Sequence, residues 1–437
     1  MADAIEMNAP ILFASPNRFV GDNAFYVKRD AFRFVEFFQS VGISTKLVLL
    51  SSETGGETPG DERLVAEPFE RWIDPDFWKA FNVRTVIVYS FGVLRPRQMP
   101  PVFRAIRGAG CRVVFQMDTA FGLVRFPDWC WTMSKRRYWW ARGWGRRRSV
   151  IHSLARATAQ TAYWAWGGTF RFMCRDLLPL CDSIRVESEM ALENTRKRLR
   201  SLHQAEMAER VVLATHPVPD AYAWDHARIV KNNRIVCAAL DWRNPRKGGR
   251  ELAKALARVL PGSGWDAVVV GKHADEVADG TATAKQLVCS VLEASPSELA
   301  PLYRESRIFF TASGAEEAPN VVQEALVSGC SVVFPPELVH LDPIVRADAG
   351  TMSRHRTGRS LAEAIRHEMD AWESGARDPD DIFRRLGHPS LVSVLAPWLG
   401  EPPPHDADLS DMIGPRGHAR APQSGANVWR KRPLRNA

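Results

Sequence analysis

Residues 307–335 read RIFFTASGAEEAPNVVQEALVSGCSVVFP, and this stretch decides the fold. The apolar run from Ile308 to Thr311 has the length and β-propensity of a buried strand. After a small polar loop, Pro319 favours the start of a helix, and Gly329 is well placed to end it. A second apolar strand follows from Ser331 to Phe334. The pattern therefore predicts a strand–loop–helix–strand unit.

Two acidic residues hold special positions in this unit. Glu316 falls in the loop at the carboxyl end of the first strand, and Glu324 falls on the second turn of the helix. Loops at that end of a parallel sheet are where open α/β proteins hold ligands. A solvated helix face is the alternative explanation for both acids. The position of Glu316 before a proline-started helix, whose amino end favours anions, argues for a ligand site.

The remainder of the chain repeats the alternation of strands and helices. Strands are predicted at 11–14, 44–50, 85–89, 112–116, 183–186 and 211–214, and again at 234–239, 267–270 and 286–291. We expect residues 51–68, which are rich in Gly, Glu and Thr, to form an exposed loop. Regular alternation predicts an α/β protein with doubly wound parallel sheets.

The length of 437 residues favours two domains. We predict two Rossmann-like domains, over residues 1–215 and 216–400. Residues 401–437 have a basic composition typical of a disordered tail.

Composition indicates a soluble globular protein that stays in the cytoplasm. Hydrophobic residues make up 45% and charged residues 25% of the chain. The amino-terminal sequence MADAIEMNAP has no apolar core of signal-peptide length, and no apolar run reaches the length of a membrane span. The seven cysteines show no metal-like pairing and are expected to be reduced thiols.

A basic loop at 241–249, DWRNPRKGG, joins a predicted strand to a predicted helix. Arg243, Arg246 and Lys247 stand there beside the amino end of the helix, where an anion is already favoured. Arginine offers a planar fork to phosphate oxygens, and lysine offers a compact charge. The loop predicts a phosphate site, with a solvated basic turn as the alternative.

The SGAEEAPNVVQEALVSG segment resembles the signature of the family 4 retaining glycosyltransferases, a group 1 family with the two-domain GT-B fold. The resemblance implies that Glu316 and the amides after it hold the donor sugar and that Glu324 holds the ribose hydroxyls. It also implies donor-binding positions at Ser313, Asn320 and Val321. By the same resemblance, the two domains face each other across a cleft, with residues 1–215 on the acceptor side and residues 216–400 as the nucleotide-sugar-binding domain. Glu317 and Ala318 depart from the usual glycine and aromatic residue.

The NPRKGG segment resembles the R-x-x-x-K-G segment of the same family, whose arginine and lysine neutralise the donor diphosphate. Lys247 matches that lysine and is assigned a catalytic role with Glu316. Arg243 takes the arginine's catalytic role, although it stands four residues before the lysine where the family spacing is slightly longer. Arg246 is assigned to donor binding.

In the first half of the chain, VVFQMDT resembles the family's V-V-x-x-H-D-T segment, with Met117 in place of the histidine. Asp118 is therefore a candidate on the acceptor side, and a loop cap is the alternative. Gly21 and Asn23 follow the first strand, where the family has a glycine-rich loop. We assign Gly21 to donor binding and Asn23 to the acceptor side.

The expected reaction needs neither a cofactor nor a metal. Cleavage of a sugar–phosphate bond builds negative charge on a nucleoside diphosphate, and fixed cations can stabilise that charge. The sequence has no Asp-x-Asp pair at a strand end and no ligand-like histidine spacing. Retention of anomeric configuration is implied by the resemblance alone. The expected partners are a nucleotide-sugar donor and a glycan or lipid-linked acceptor.

The segment 125–172 interrupts the alternation as an insert rich in tryptophan and arginine. It holds seven of the fifteen tryptophans, and Arg125 to Arg148 carry a net charge of +7. We expect this insert to lie on an anionic cytoplasmic membrane face; capture of a soluble glycan and a buried aromatic cluster are the alternatives. Nucleic acid is not an expected partner of the enzyme. A non-catalytic basic protein that binds membrane or nucleic acid through the insert and tail is the alternative class.

Overall fold

The computed structural model describes most of the chain between residues 11 and 387. The described residues are 11–19, 30–40, 43–51, 60–89, 94, 96–117, 172–214, 218, 220–225, 229–314, 316 and 319–387. Outside them lie all but the last residue of the predicted insert, the predicted tail, and positions Gly21, Asn23, Asp118, Glu317 and Ala318.

Seven parallel strands form the first sheet. They are β1 (Ile11–Arg18), β2 (Thr45–Leu50), β3 (Leu64–Glu67), β4 (Thr85–Tyr89), β5 (Arg112–Met117), β6 (Ser183–Val186) and β7 (Val211–Leu213). Their order in the sheet is β3-β2-β1-β4-β5-β6-β7. The helices that accompany them are α1 (Asp30–Ser40), α2 (Phe69–Trp72), α3 (Pro75–Lys79), α4 (Met99–Gly108), α5 (Glu189–Ser201) and α6 (Ala205–Glu209).

The first sheet is covered by apolar cores on both faces. Alternate residues of β1 enter different cores: Leu12 belongs to the core that includes Phe103 of α4, whereas the ring of Phe13 stacks on that of Phe34 of α1. Successive side chains of a strand point to opposite faces, so the two cores place helices on both sides. The doubly wound arrangement predicted from the sequence is confirmed.

Residues 64–67 correct the prediction of an exposed loop over 51–68. They form the edge strand β3, which pairs in parallel with β2 from Leu47↔Leu64 to Leu50↔Glu67. Four residues carry too little periodicity to be recognised alone, and the pairing with β2 supplies the strand.

Six parallel strands form the second sheet. They are β8 (Asn232–Asp241), β9 (Asp266–Lys272), β10 (Val288–Val291), β11 (Ser306–Phe310), β12 (Ser331–Phe334) and β13 (Gly350–Met352). Their order is β10-β9-β8-β11-β12-β13. The helices of this half are α7 (Gly249–Val259), α8 (Ala274–Asp279), α9 (Pro296–Glu305), α10 (Asn320–Val327), α11 (Asp342–Arg346), α12 (Gly358–Glu373) and α13 (Pro379–Ile382).

The strand order of the second sheet contains a topological switch point. From β8 the chain adds β9 and β10 on one side, and it then returns to place β11 on the other side of β8. Ligands of open α/β sheets bind outside the carboxyl ends of the strands at such a point. A ligand site is therefore expected at the loops that follow β8 and β11.

The strand–loop–helix–strand unit predicted at 307–335 is confirmed as β11, α10 and β12. Pro319 is the cap of α10 rather than its first residue. The helix ends at Val327 with Ser328 as its cap, and Gly329 follows with a φ of +71°, which glycine readily adopts. The N–H of Cys330 donates to the carbonyl of Ala325, and the N–H of Gly329 donates to that of Leu326, which is the Schellman closure.

No helix among the described residues is long and apolar enough to cross a membrane. Five of the six cysteines in the described ranges are buried, Cys289 is exposed, and all six are free thiols.

Candidate active site at a strand switch point

Two loops meet at the carboxyl ends of β8 and β11, and we call them the site loops: residues 241–248, and residues 311–314 with 316. In the first, Pro245–Lys247 makes one 3-10 turn, and the side chain of Asn244 accepts a hydrogen bond from the N–H of Arg246 (3.1 Å). Gly248 follows with a φ of +72° and leads directly into α7. The turn thus brings Arg246 and Lys247 to the amino end of an 11-residue helix, which favours anions.

The site loops are joined by an ion pair between the two strongest motif residues. Lys247 Nζ donates to Glu316 Oε1 at 2.6 Å, although the residues are 69 positions apart. Ser313 Oγ donates to the same carboxylate oxygen at 2.6 Å. Arg246 Nη2 lies 3.7 Å from Glu316 Oε2. The predicted catalytic pair Lys247–Glu316 and the predicted donor-binding residues Arg246 and Ser313 therefore form one cluster.

The cluster is largely shielded from solvent. The side chain of Glu316 is 11% exposed and that of Lys247 is 18% exposed. Burial alone would raise the pKa of the Glu316 carboxyl. The positive charges of Lys247 and Arg246, with hydrogen bonds from Lys247 and Ser313, outweigh burial and lower the pKa below its ordinary value of 4.5. Glu316 is therefore an anion held by cations, at a position where another anion could compete for them.

Arg243 points to a different neighbour. Its guanidinium forms an ion pair with Glu276 of α8, with Nε to Oε1 at 2.9 Å, and its side chain is 62% exposed. The structure therefore places Arg243 with α8, while Arg246 is the arginine beside Glu316.

The remaining predicted donor-binding residues lie on α10, the helix that follows the second site loop. Glu324 is 1% exposed on the second turn, while Asn320 and Val321 are half-buried on the first. Of the predicted positions in the first half, Gly21, Asn23 and Asp118 lie outside the described residues.

One residue of this site was not predicted from the sequence. Arg356 follows β13 and is 6% exposed. Its Nε donates to the carbonyl of Ala312 (2.6 Å), and its Nη2 donates to the carbonyl of Arg246 (2.9 Å). Arg356 thus contacts both site loops. It stands in a polar SRHRTG segment without periodicity, so the sequence carries no signal for this role.

Within the described ranges, no group of three or more His, Cys, Asp or Glu side chains is placed to hold a metal ion.

Part of the chain matches a known protein family. Residues 232–370, which include β8 to β13 and both site loops, match the family model described as "Glycosyl transferases group 1". No curated protein matches the chain in sequence.

Several solved structures share the fold. An Anabaena protein, Alr3699/HepE in complex with UDP, is 12% identical, with 86% of this chain and 96% of that chain covered and a TM-score of 0.55. A glycosyltransferase from Rickettsia africae ESF-5 is 13% identical, with 87% and 95% covered and a TM-score of 0.53. WaaG, a glycosyltransferase involved in lipopolysaccharide biosynthesis, is 14% identical, with 89% and 98% covered and a TM-score of 0.51.

These likenesses show the two-domain GT-B fold predicted from the sequence, and the match of residues 232–370 to the group 1 glycosyl transferases supports a glycosyltransferase enzyme.

Proposed function

We propose that this chain transfers a hexose from a nucleotide-sugar donor to a glycan or lipid-linked acceptor, as a family 4-like enzyme. The observation that carries the proposal is the Lys247–Glu316 ion pair. It unites the two segments that resemble the donor site, at the switch point of the sheet and inside the matched domain.

The charges of the cluster suit the departure of a nucleoside diphosphate. Lys247 and Arg246 provide two positive charges at the amino end of α7, and these can stabilise the negative charge that builds on the leaving group. Glu316 lies 2.6 Å from Lys247 Nζ and 3.7 Å from Arg246 Nη2, so it contacts both cations. We expect the bound diphosphate to replace Glu316 at Lys247, which releases the carboxylate to accept hydrogen bonds from hydroxyls of the donor sugar.

This charge balance supports a metal-independent reaction, because the protein itself supplies the cations. Activity should survive an excess of EDTA. Complete loss of activity that Mg²⁺ or Mn²⁺ restores would contradict the proposal. Retention of anomeric configuration rests on the resemblance of the motif, and the anomeric proton signals of the product by NMR test it directly.

The donor class can be found without knowledge of the acceptor. A thermal-shift panel of UDP-, GDP-, ADP- and dTDP-sugars is the direct test, since a ligand at about 100 times its Kd stabilises a protein by about 2.7 kcal/mol. The structural neighbour HepE was solved with UDP, so UDP-sugars come first. A panel in which no nucleotide sugar raises the melting temperature would contradict the proposed function.

The acceptor proposal concerns the basic insert at 125–172. We expect it to hold the enzyme on the cytoplasmic face of an anionic membrane, where a lipid-linked glycan is presented; WaaG offers a parallel in lipopolysaccharide biosynthesis. Each cation near such a surface contributes about 1 kcal/mol. Co-sedimentation with anionic and neutral liposomes, with Arg146, Arg147 and Arg148 changed together to Ser, tests this expectation. Binding that ignores both lipid charge and the triple change would refute it.

The alternative of a non-catalytic basic protein is less well supported. Such a protein has no need of Lys247, Arg246 and Glu316 in one partly buried cluster within a matched glycosyl transferase domain.

A further inference from the structure

Arg356 connects the two site loops through their backbones. Its Nε donates to the carbonyl of Ala312 at 2.6 Å in the second loop. Its Nη2 donates to the carbonyls of Arg246 at 2.9 Å and Pro245 at 3.3 Å in the first loop. One buried guanidinium therefore fixes the distance between a residue next to Lys247 and a residue four before Glu316.

The loops are shaped around this guanidinium by two glycines. A Cβ atom added at Gly314 would lie 2.3 Å from Arg356 Nη1 and 2.7 Å from its Cζ. A Cβ added at Gly248 would lie 2.7 Å from Nη2. All three distances are shorter than van der Waals contact. The guanidinium thus fits between the site loops because Gly314 and Gly248 have no side chain at the points of contact.

The carbonyl of Arg246 is the centre of the connection. Besides Arg356 Nη2, it accepts from the N–H of Gly314 (2.7 Å), and Ser313 Oγ lies 3.2 Å from it. Ser313 Oγ also lies 2.6 Å from Glu316 Oε1. A shift of Arg356 would therefore move the backbone that carries Lys247 and the hydroxyl that holds Glu316.

We propose that Arg356 is a positioning residue that sets Lys247 and Glu316 at the separation needed to receive the donor diphosphate. This inference rests on the proposed function and deepens it. The planar fork of arginine can bridge carbonyls of two loops, whereas the single ammonium of lysine cannot reproduce that geometry. Electrostatic stabilisation depends on charges held in place before the ligand arrives.

The test is the affinity for nucleoside diphosphates, measured by calorimetry with UDP, GDP, ADP and dTDP well below the melting temperature of each variant. Arg356→Lys keeps the charge and should weaken binding about tenfold, the loss typical of one charged hydrogen bond. Arg356→Ala should weaken it further. Arg354→Ala is the matched control, because Arg354 is an exposed arginine in the same segment, and it should bind like the parent.

A double-mutant cycle with Lys247→Met distinguishes a positioning role of Arg356 from a role in stability alone. If Arg356 acts through Lys247, adding Arg356→Lys to Lys247→Met should weaken binding less than twofold, far below its effect in the parent. An equal factor in both backgrounds would overturn the inference, as would parent-like binding by Arg356→Lys. Should Arg356→Ala fail to fold, the Lys variant decides alone. If no nucleoside diphosphate binds the parent, both the proposed function and the inference fail. If the parent binds one and Arg356→Lys binds it equally well, only the inference fails.

Discussion

Replacement of Lys247 by methionine removes the charge at the centre of the site and nearly keeps the side-chain volume. A hydrogen bond to a charged group is worth about 1.5–3 kcal/mol, which corresponds to about 10- to 150-fold in affinity. Two features of the site favour the lower end. Arg246, 3.7 Å from Glu316, stays as a second cation, and the Lys247–Glu316 ion pair has to open, so diphosphate binding exchanges one ion pair for another. We expect nucleoside diphosphate to bind about 10- to 30-fold more weakly.

The same substitution leaves the Glu316 carboxylate without its nearest cation. Removal of one partner from a fully buried ion pair costs about 3–5 kcal/mol. Here Ser313 and Arg246 remain, and the two side chains keep 11% and 18% exposure, so a loss of about 1–2 kcal/mol is expected. A Lys247→Met, Glu316→Gln double variant should regain most of that stability but none of the diphosphate affinity.

Calorimetric titration measures the affinity, and thermal unfolding of the full chain measures the stability. Lys254→Met is the matched control, because Lys254 lies on α7 with its side chain 48% exposed. Among the described residues, its one ion pair is with Glu251, at 3.5 Å. It should change neither quantity by more than a small margin. Affinity of Lys247→Met within twofold of the parent would refute the assignment of Lys247 to the diphosphate.

Three further predictions follow from the same geometry. Glu324→Gln should weaken nucleotide-sugar binding about tenfold while thermal unfolding stays cooperative; unchanged binding would remove Glu324 from the donor site. Gly314→Ala should destabilise the chain by about 1–3 kcal/mol, because the new Cβ would meet Arg356 at 2.3 Å, whereas Gly108→Ala, with its nearest neighbour at 3.4 Å, should be close to neutral in the same unfolding measurement. Because the pKa of Glu316 is lowered in the folded protein, its contribution to stability is present above pH 4.5 and is lost as the pH falls through the folded-state pKa. The melting temperatures of the parent and of Glu316→Gln should therefore converge below pH 4.5. A difference that stays constant with pH would count against the ion pair.

The sequence predicted those parts of the fold whose signals are local. β11, α10 and β12 were recognised because apolar runs, a proline and a glycine mark their limits within a few residues. β3 was assigned to a loop because a strand of four residues at a sheet edge depends on its neighbour for definition. Strand order was also beyond the sequence, since it depends on long-range pairing.

The same distinction holds for the site. Lys247 and Glu316 could each be placed at the end of a strand, but their contact requires β8 and β11 to be neighbours in the sheet. The resemblance of the basic loop assigns Arg243 to the diphosphate, whereas its ion pair with Glu276 depends on where α8 packs. Arg356 acts through backbone carbonyls of residues more than 40 positions away, and such contacts leave no pattern in the sequence.

The most direct test of the central claim is a crystal structure of the chain with the nucleoside diphosphate that binds most tightly. We predict a diphosphate oxygen about 3 Å from Lys247 Nζ, with Glu316 released from that lysine. A diphosphate bound elsewhere, with the 2.6 Å contact between Lys247 and Glu316 intact, would contradict the account.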